Sequence, residues 1–175
     1  LGERLVDRLR SSGHHVVTVT AGDGFSRIDG SSYSLCPEEG RGGYDALFAS
    51  LSEDDEVPAN IVHLWLVTGD ENHRRASSFF DRIQEQGFYS LLHLAQAMGD
   101  AGVAGTHLTV LTNGMQRVGD EALSYPGKAT VLGPGLVIPK ELELTTVRMI
   151  DLERVVKPKR NDRPGLQKLL KLVGD

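Results

Sequence analysis

A single cysteine, Cys36, stands in a chain of 175 residues. It excludes an internal disulfide framework and any site that needs several thiolates, and it suits a reducing, cytoplasmic compartment. The composition, at 39% hydrophobic and 25% charged, leaves no room for a transmembrane protein, a collagen or a disordered chain. The opening residues do not read as a secretory leader, so none is expected. Methionine is missing until Met98, and the chain opens on Leu1, so the sequence reads as a piece of a longer polypeptide. The histidines, His14, His15, His63, His73, His93 and His107, lack the H-x-x-x-H spacing that would place two ligands on one helical face. Cys36 is followed by Glu38 and Glu39, which disfavour a thiolate, so it is no candidate nucleophile.

What the chain does have is one domain's worth of patterned sequence, with 20 glycines marking turns and close backbone approaches. Charge is uneven. Residues 154–175 hold seven Lys/Arg and two acids, a net +5, which leaves −10 on residues 1–153. The acidic body argues against phosphate-backbone binding. The basic tail carries no interleaved aromatics and reads as a solvated linker, ending in a short amphipathic helix over Leu166–Val173.

Leu5, Val6 and Leu9 form a helical stripe stopped by Gly13. His14–Thr20 is a β-branched run, hence a strand. Phe25–Ile28 faces Tyr33–Leu35 across Asp29-Gly30 as a small hairpin. Tyr44–Leu51 has helical spacing, and Ile61–Val67 is apolar enough for a strand buried on both faces. Asp70 or Asn72 caps a helix that runs to Met98, with an interruption near Gly87. His107–Thr112 and Thr145–Leu152 read as strands, separated by the helix-like, apolar stretch Ala129–Leu144 with Pro134 and Pro139. Strands alternating with helices predict an α/β fold: a truncated doubly wound, Rossmann-like parallel sheet of four strands near 14–20, 61–67, 106–112 and 145–151. Because the chain enters on a helix, the first strand of such a sheet is expected upstream of Leu1.

The predicted fold carries no competent site. Ala21-Gly22-Asp23-Gly24-Phe25 contains G-x-G, but it lacks a third glycine and leads into a hairpin rather than a helix. A short-chain-dehydrogenase-like site needs Tyr-x-x-x-Lys on a helix, so that the ammonium lowers the phenol pKa. Tyr125-Pro126-Gly127-Lys128 is one residue short, and Pro-Gly is turn chemistry. Asn113-Gly114 follows a strand without a serine close behind, and nothing marks Ser124 or Ser77-Ser78 as activated. His63 and His93 read as core or boundary histidines. No set of residues assembles nucleophile, base and orienter, so catalytic, cofactor-binding and metal residues are all expected to be absent.

Asp23-Gly24-Phe25, Ile61–Trp65, Phe88–Ala97, Leu108–Gly114, Pro126–Glu141 and Thr145–Leu152, in order over residues 1–153, together resemble the ketoreductase regions of type I modular polyketide synthases. In that family the ketoreductase comprises two Rossmann-like subdomains. The second binds NADPH and carries the Ser/Tyr/Lys machinery. The first has lost both the nucleotide loop and the catalytic residues and buttresses the second. The resemblance falls on that first, structural half, so it implies a non-catalytic pseudo-ketoreductase subdomain (1–153) followed by a linker (154–175). The implied partners are the catalytic subdomain, which would hold the NADPH, and neighbouring synthase domains, with no nucleic acid and no membrane. Two rival readings remain at this point: a fragment of a short-chain reductase that contributes pocket residues, and an interdomain docking module.

Overall fold

The computed structural model describes residues 1–69, 78–117, 119 and 123–152. The helix entry at Asp70 or Asn72, His73, Ser77, and the basic stretch 154–175 with its Leu166–Val173 helix lie outside the described residues.

Helix α1 (Gly2–Ser11) turns its apolar stripe inward through buried Leu5. It ends as the glycine signal predicts. Gly13 adopts φ +86°, and His14 N–H reaches back to the Leu9 carbonyl at 3.1 Å. Three short strands follow: β1 (Thr18–Ala21), β2 (Ser26–Asp29) and β3 (Ser32–Leu35). The predicted β2–β3 hairpin forms across Asp29-Gly30, with the Asp29 carboxylate accepting the Ser31 N–H at 2.8 Å. That bond to the Ser31 backbone, more than any other influence, holds the Asp29 carboxyl below its ordinary value.

The predicted four-strand sheet needs correction. β1 begins at Thr18 rather than His14, and it pairs in parallel with β3 in a separate three-stranded sheet of order β1-β3-β2. The physical reason lies in exposure. Thr18 and Val19 are only half-buried, and Thr20 and Ala21 are exposed, whereas a member of a parallel sheet covered by helices is buried on both faces.

Helix α2 (Gly42–Glu53) buries Tyr44, Leu47, Phe48 and Leu51, the face predicted from spacing. Strand β4 (Asn60–Leu66) follows. Helix α3 (Ser78–Ile83) runs through a π-helical turn, Gln84–Tyr89, into α4 (Ser90–Asp100). The predicted interruption at Gly87 is this turn. Gly87 sits so close to the sheet that a Cβ there would fall 2.7 Å from Leu66 Cδ1. Strand β5 (His107–Asn113), the 3₁₀ segment Pro126–Val131, α5 (Leu132–Glu141) and β6 (Thr146–Leu152) complete the described chain. Pro139 lies inside α5, near its C-terminal end, and forgoes one backbone hydrogen bond there.

The second sheet has order β4-β5-β6 and is wholly parallel, with Asn60 opposite His107 and His107 opposite Thr146. β5 lies at its centre, and every residue from Leu108 to Asn113 is buried. Each fully buried Leu or Val there contributes about 1.5–3 kcal/mol. Successive β4 residues point to opposite faces. His63 meets Ser90 of α4, while Leu64 packs against Gly2 of α1. Helices therefore cover both faces, as the doubly wound class requires.

Candidate functional site

In a doubly wound sheet, ligands bind where the parallel strands end. Here β4 ends at Leu66 and runs on through Val67–Gly69, and β5 ends beside it at Asn113. The Asn113 side chain stitches the two ends together. Its Nδ2 donates to the Thr68 carbonyl at 2.8 Å, and its Oδ1 accepts the Thr68 N–H at 3.0 Å.

Lys128 enters this junction from the 3₁₀ segment that Pro126 initiates. Its side chain is fully buried, at 0% exposure. Nζ donates to the Leu66 carbonyl (2.7 Å), Thr68 Oγ1 (2.8 Å), Asn113 Oδ1 (2.6 Å) and the Asn113 carbonyl (3.1 Å). An ammonium has three N–H groups, so one of them is shared between two of these four acceptors. The Tyr125 ring lies 4.3 Å from Nζ, a cation–π contact, and Tyr125 Oη donates to the Gly69 carbonyl at 3.0 Å.

β6 closes the other side. Asp151 accepts from Thr112 Oγ1 (2.7 Å), Met115 N–H (3.1 Å) and Gln116 N–H (2.8 Å), and so fixes the turn that leaves β5. Gly114 opens that turn at φ +63°, and a Cβ there would meet Ser124 and Tyr125 at 3.1 Å. A cleft of about 260 Å³ borders the junction on the α1 side, lined by Leu1, Gly2, Leu64, Val67, Thr68 and Gly69.

The sequence candidates fall as follows. Tyr125 and Lys128 stand in and beside a 3₁₀ segment rather than on one helix face, as the Pro-Gly chemistry predicts. Gly22-Asp23-Gly24 turns β1 into β2, so a strand and not a helix follows it. His15 faces Glu56 at 3.6 Å, and His107 Nδ1 lies 2.7 Å from Thr146 Oγ1 at the opposite end of the sheet. Cys36 is half-buried with a free thiol. Among the described residues no three His, Cys, Asp or Glu side chains gather as a metal site would require.

His63 is buried in the core, and its Nε2 lies 2.9 Å from Ser90 Oγ. Its Nδ1 has no partner. A buried N–H without an acceptor is the costlier orphan, so the proton resides on Nε2 and is donated to Ser90. Burial drives the His63 pKa down to about 4. Tyr44 Oη approaches Ser90 without reaching hydrogen-bond geometry, and burial pushes its pKa up to about 12. The Tyr44 and His93 rings lie 5.8 Å apart, and His93 Nδ1 is also buried without a partner. His63 and Tyr44 are thus held in the core as neutral groups. Sequence reasoning placed His63 and His93 in the core but missed Lys128, whose burial no charge or spacing pattern announces.

A family profile described as beta-ketoacyl synthase-like, N-terminal, matches residues 2–107, more than half of the chain. The chain belongs to that family. Its fold recurs in solved structures of low sequence identity. One is a multidomain structure with adenylation, ketoreductase and pseudo Asub parts, from a keto acid-selecting NRPS module. It is 22% identical at a TM-score of 0.80, covering 97% of this chain and 14% of that one. A second is an N-terminal ketoreductase from the macrolactin assembly line, 18% identical at a TM-score of 0.55, covering 63% of this chain and 22% of that one. A third is a short-chain dehydrogenase from Streptomyces avermitilis, 10% identical at a TM-score of 0.53, covering 99% and 73%. The chain thus spans less than a quarter of the first two structures. A search of curated proteins found no match. The Rossmann-like, short-chain-dehydrogenase-like class read from the sequence is the fold of this chain, and the resemblance to the ketoreductase region of modular synthases agrees with these matches.

Proposed function

We propose that this chain is a non-catalytic structural subdomain that buttresses the NADPH-dependent ketoreductase of a type I polyketide synthase acting on carrier-protein-bound β-ketoacyl chains. The observation that carries the reading is the occupied ligand end of the sheet. Where a doubly wound fold opens a crevice for its ligand, Lys128 and Asn113 fill the ends of β4 and β5 with side chains bonded to one another. A dinucleotide does not fit these residues. Its pyrophosphate needs glycine backbone leading into a helix N-terminus, and Gly22-Asp23-Gly24 leads into β2 instead. NADPH accordingly belongs to the catalytic subdomain.

Family membership and the fold shared with ketoreductase-containing modules support this setting. The partners are then the catalytic subdomain and neighbouring synthase domains, over an interface of about 600–1,500 Å² typical of domains within one chain. The net charge of −10 on residues 1–153 disfavours nucleic acid. Among the described residues no helix is long and apolar enough to cross a membrane. A cytoplasmic synthase accommodates both facts.

Isothermal titration of the chain with NADPH tests the reading. No saturable heat is expected, and a 1:1 binding isotherm refutes it. Co-expression with the catalytic half of a ketoreductase should yield a co-eluting complex that reduces a β-ketoacyl thioester, while the chain alone does not.

A further inference from the structure

We propose that the junction of β4 and β5 is a built primary-ammonium site, permanently filled by the chain's own Lys128. The inference goes beyond the scaffolding role and stands whether or not a catalytic partner is found. Four oxygen acceptors, Leu66 O, Thr68 Oγ1, Asn113 Oδ1 and Asn113 O, converge on a single atom at 2.6–3.1 Å, and the face of Tyr125 lies 4.3 Å away. None of these acceptors belongs to the segment that carries Lys128. They come from the ends of two strands 62, 60 and 15 residues earlier in the chain.

The acceptors are held independently of the cation. Asn113 is fixed by its two bonds to the Thr68 backbone, Tyr125 Oη by Gly69, and the turn after β5 by Asp151. Such a cage is preorganised for a compact donor of three N–H bonds. A guanidinium, which spreads its donors in a planar fork, cannot direct them to acceptors gathered around one point. A quaternary ammonium has no N–H to donate. The ligand class of the site is therefore a primary alkylammonium ion, and Lys128 presents one on its own tether.

The test removes the tether and supplies the ion. In Lys128→Ala the Cβ remains, and propylammonium replaces the atoms from Cγ through Nζ. The variant should melt about 10 °C below wild type, since uncompensated acceptors are left in the interior. Propylammonium chloride should then restore at least half of that loss in a saturable manner. Sodium chloride, tetramethylammonium chloride and propanol at equal concentration should not, and wild type should not respond. Lys128→Met and Lys128→Arg should both remain destabilised. A folded Lys128→Ala protein that shows no propylammonium-specific recovery overturns the proposal, as does a Lys128→Met protein as stable as wild type. Should the alanine variant not fold, nitrogen-15 spectra of the wild-type chain decide. A slowly exchanging Nζ ammonium signal at pH 7 is expected, and its absence overturns the proposal. NADPH binding by the wild-type chain would count against the proposed function and leave this result untouched.

Discussion

His63 makes the fold acid-labile by an amount that can be worked out in advance. Its side chain is buried between β4 and α4, and its pKa falls from 6.5 to about 4 because burial penalises the imidazolium. The unfolded chain protonates its histidine near 6.5, and the folded chain resists until about 4. Between those values the unfolded state binds more protons, so stability falls as pH falls through that window and the loss levels off below it. At 1.36 kcal/mol per pH unit the full loss is roughly 3 kcal/mol. For a chain of this size that corresponds to about 6–12 °C in melting temperature. Protonation also places an N–H on Nδ1, which has no acceptor, and this acts in the same direction. Urea unfolding of wild type and His63→Gln between pH 7.5 and pH 4 isolates the effect, because the other titrating groups are common to both proteins. The wild-type curve should steepen relative to the variant below about pH 6.5. Parallel curves, or an NMR titration of His63 centred near 6.5, would refute the reasoning.

The two tightest glycines should differ in their response to a methyl group. In Gly87→Ala the new Cβ meets buried Leu66 at 2.7 Å and Val131 at 3.1 Å, so a loss of about 1–3 kcal/mol is expected from chemical denaturation. Gly135→Ala meets only the flexible side chain of Met149, and should cost less than Gly87→Ala in the same assay. Tyr44→Phe removes a buried hydroxyl that has no partner, and should leave stability unchanged or raise it by up to about 1 kcal/mol. Asp151→Ala strips the acceptor from Thr112 Oγ1 and from the Met115 and Gln116 N–H groups. It should lower stability by about 1–3 kcal/mol and speed amide exchange at residues 115 and 116.

Strands β4, β5 and β6 were legible to within a residue at each end, β4 as a nearly unbroken apolar run, β5 as a β-rich run after Gly105 and β6 by its alternation. The stop at Gly13 was legible because it depends on a left-handed backbone that glycine favours, and the turn at Asp29-Gly30 because an aspartate can accept the N–H two residues on. β1 was misassigned for the complementary reason. A short β-branched run reports that a strand exists but not which strand it joins, and its pairing with β3 depends on the hairpin folding back. The site divides in the same way. The missing glycine cradle and the broken Tyr–Lys spacing are local patterns that the sequence displays. The burial of Lys128 is set by acceptors on β4 and β5, and a lone lysine in a Pro-Gly turn looks like a solvated one.

Chain order gives the Lys128 cage a further property. Leu66, Thr68 and Asn113 are all synthesised before the residue that donates to them, and Asn113 precedes Lys128 by 15 residues. At ribosomal speed that gap is roughly 1–3 s, long compared with the microseconds that local structure needs. Until the 125–128 turn has been made, the cation that these oxygens accept from in the finished fold does not exist. Closing this end of the sheet therefore waits on a segment made after both strand ends.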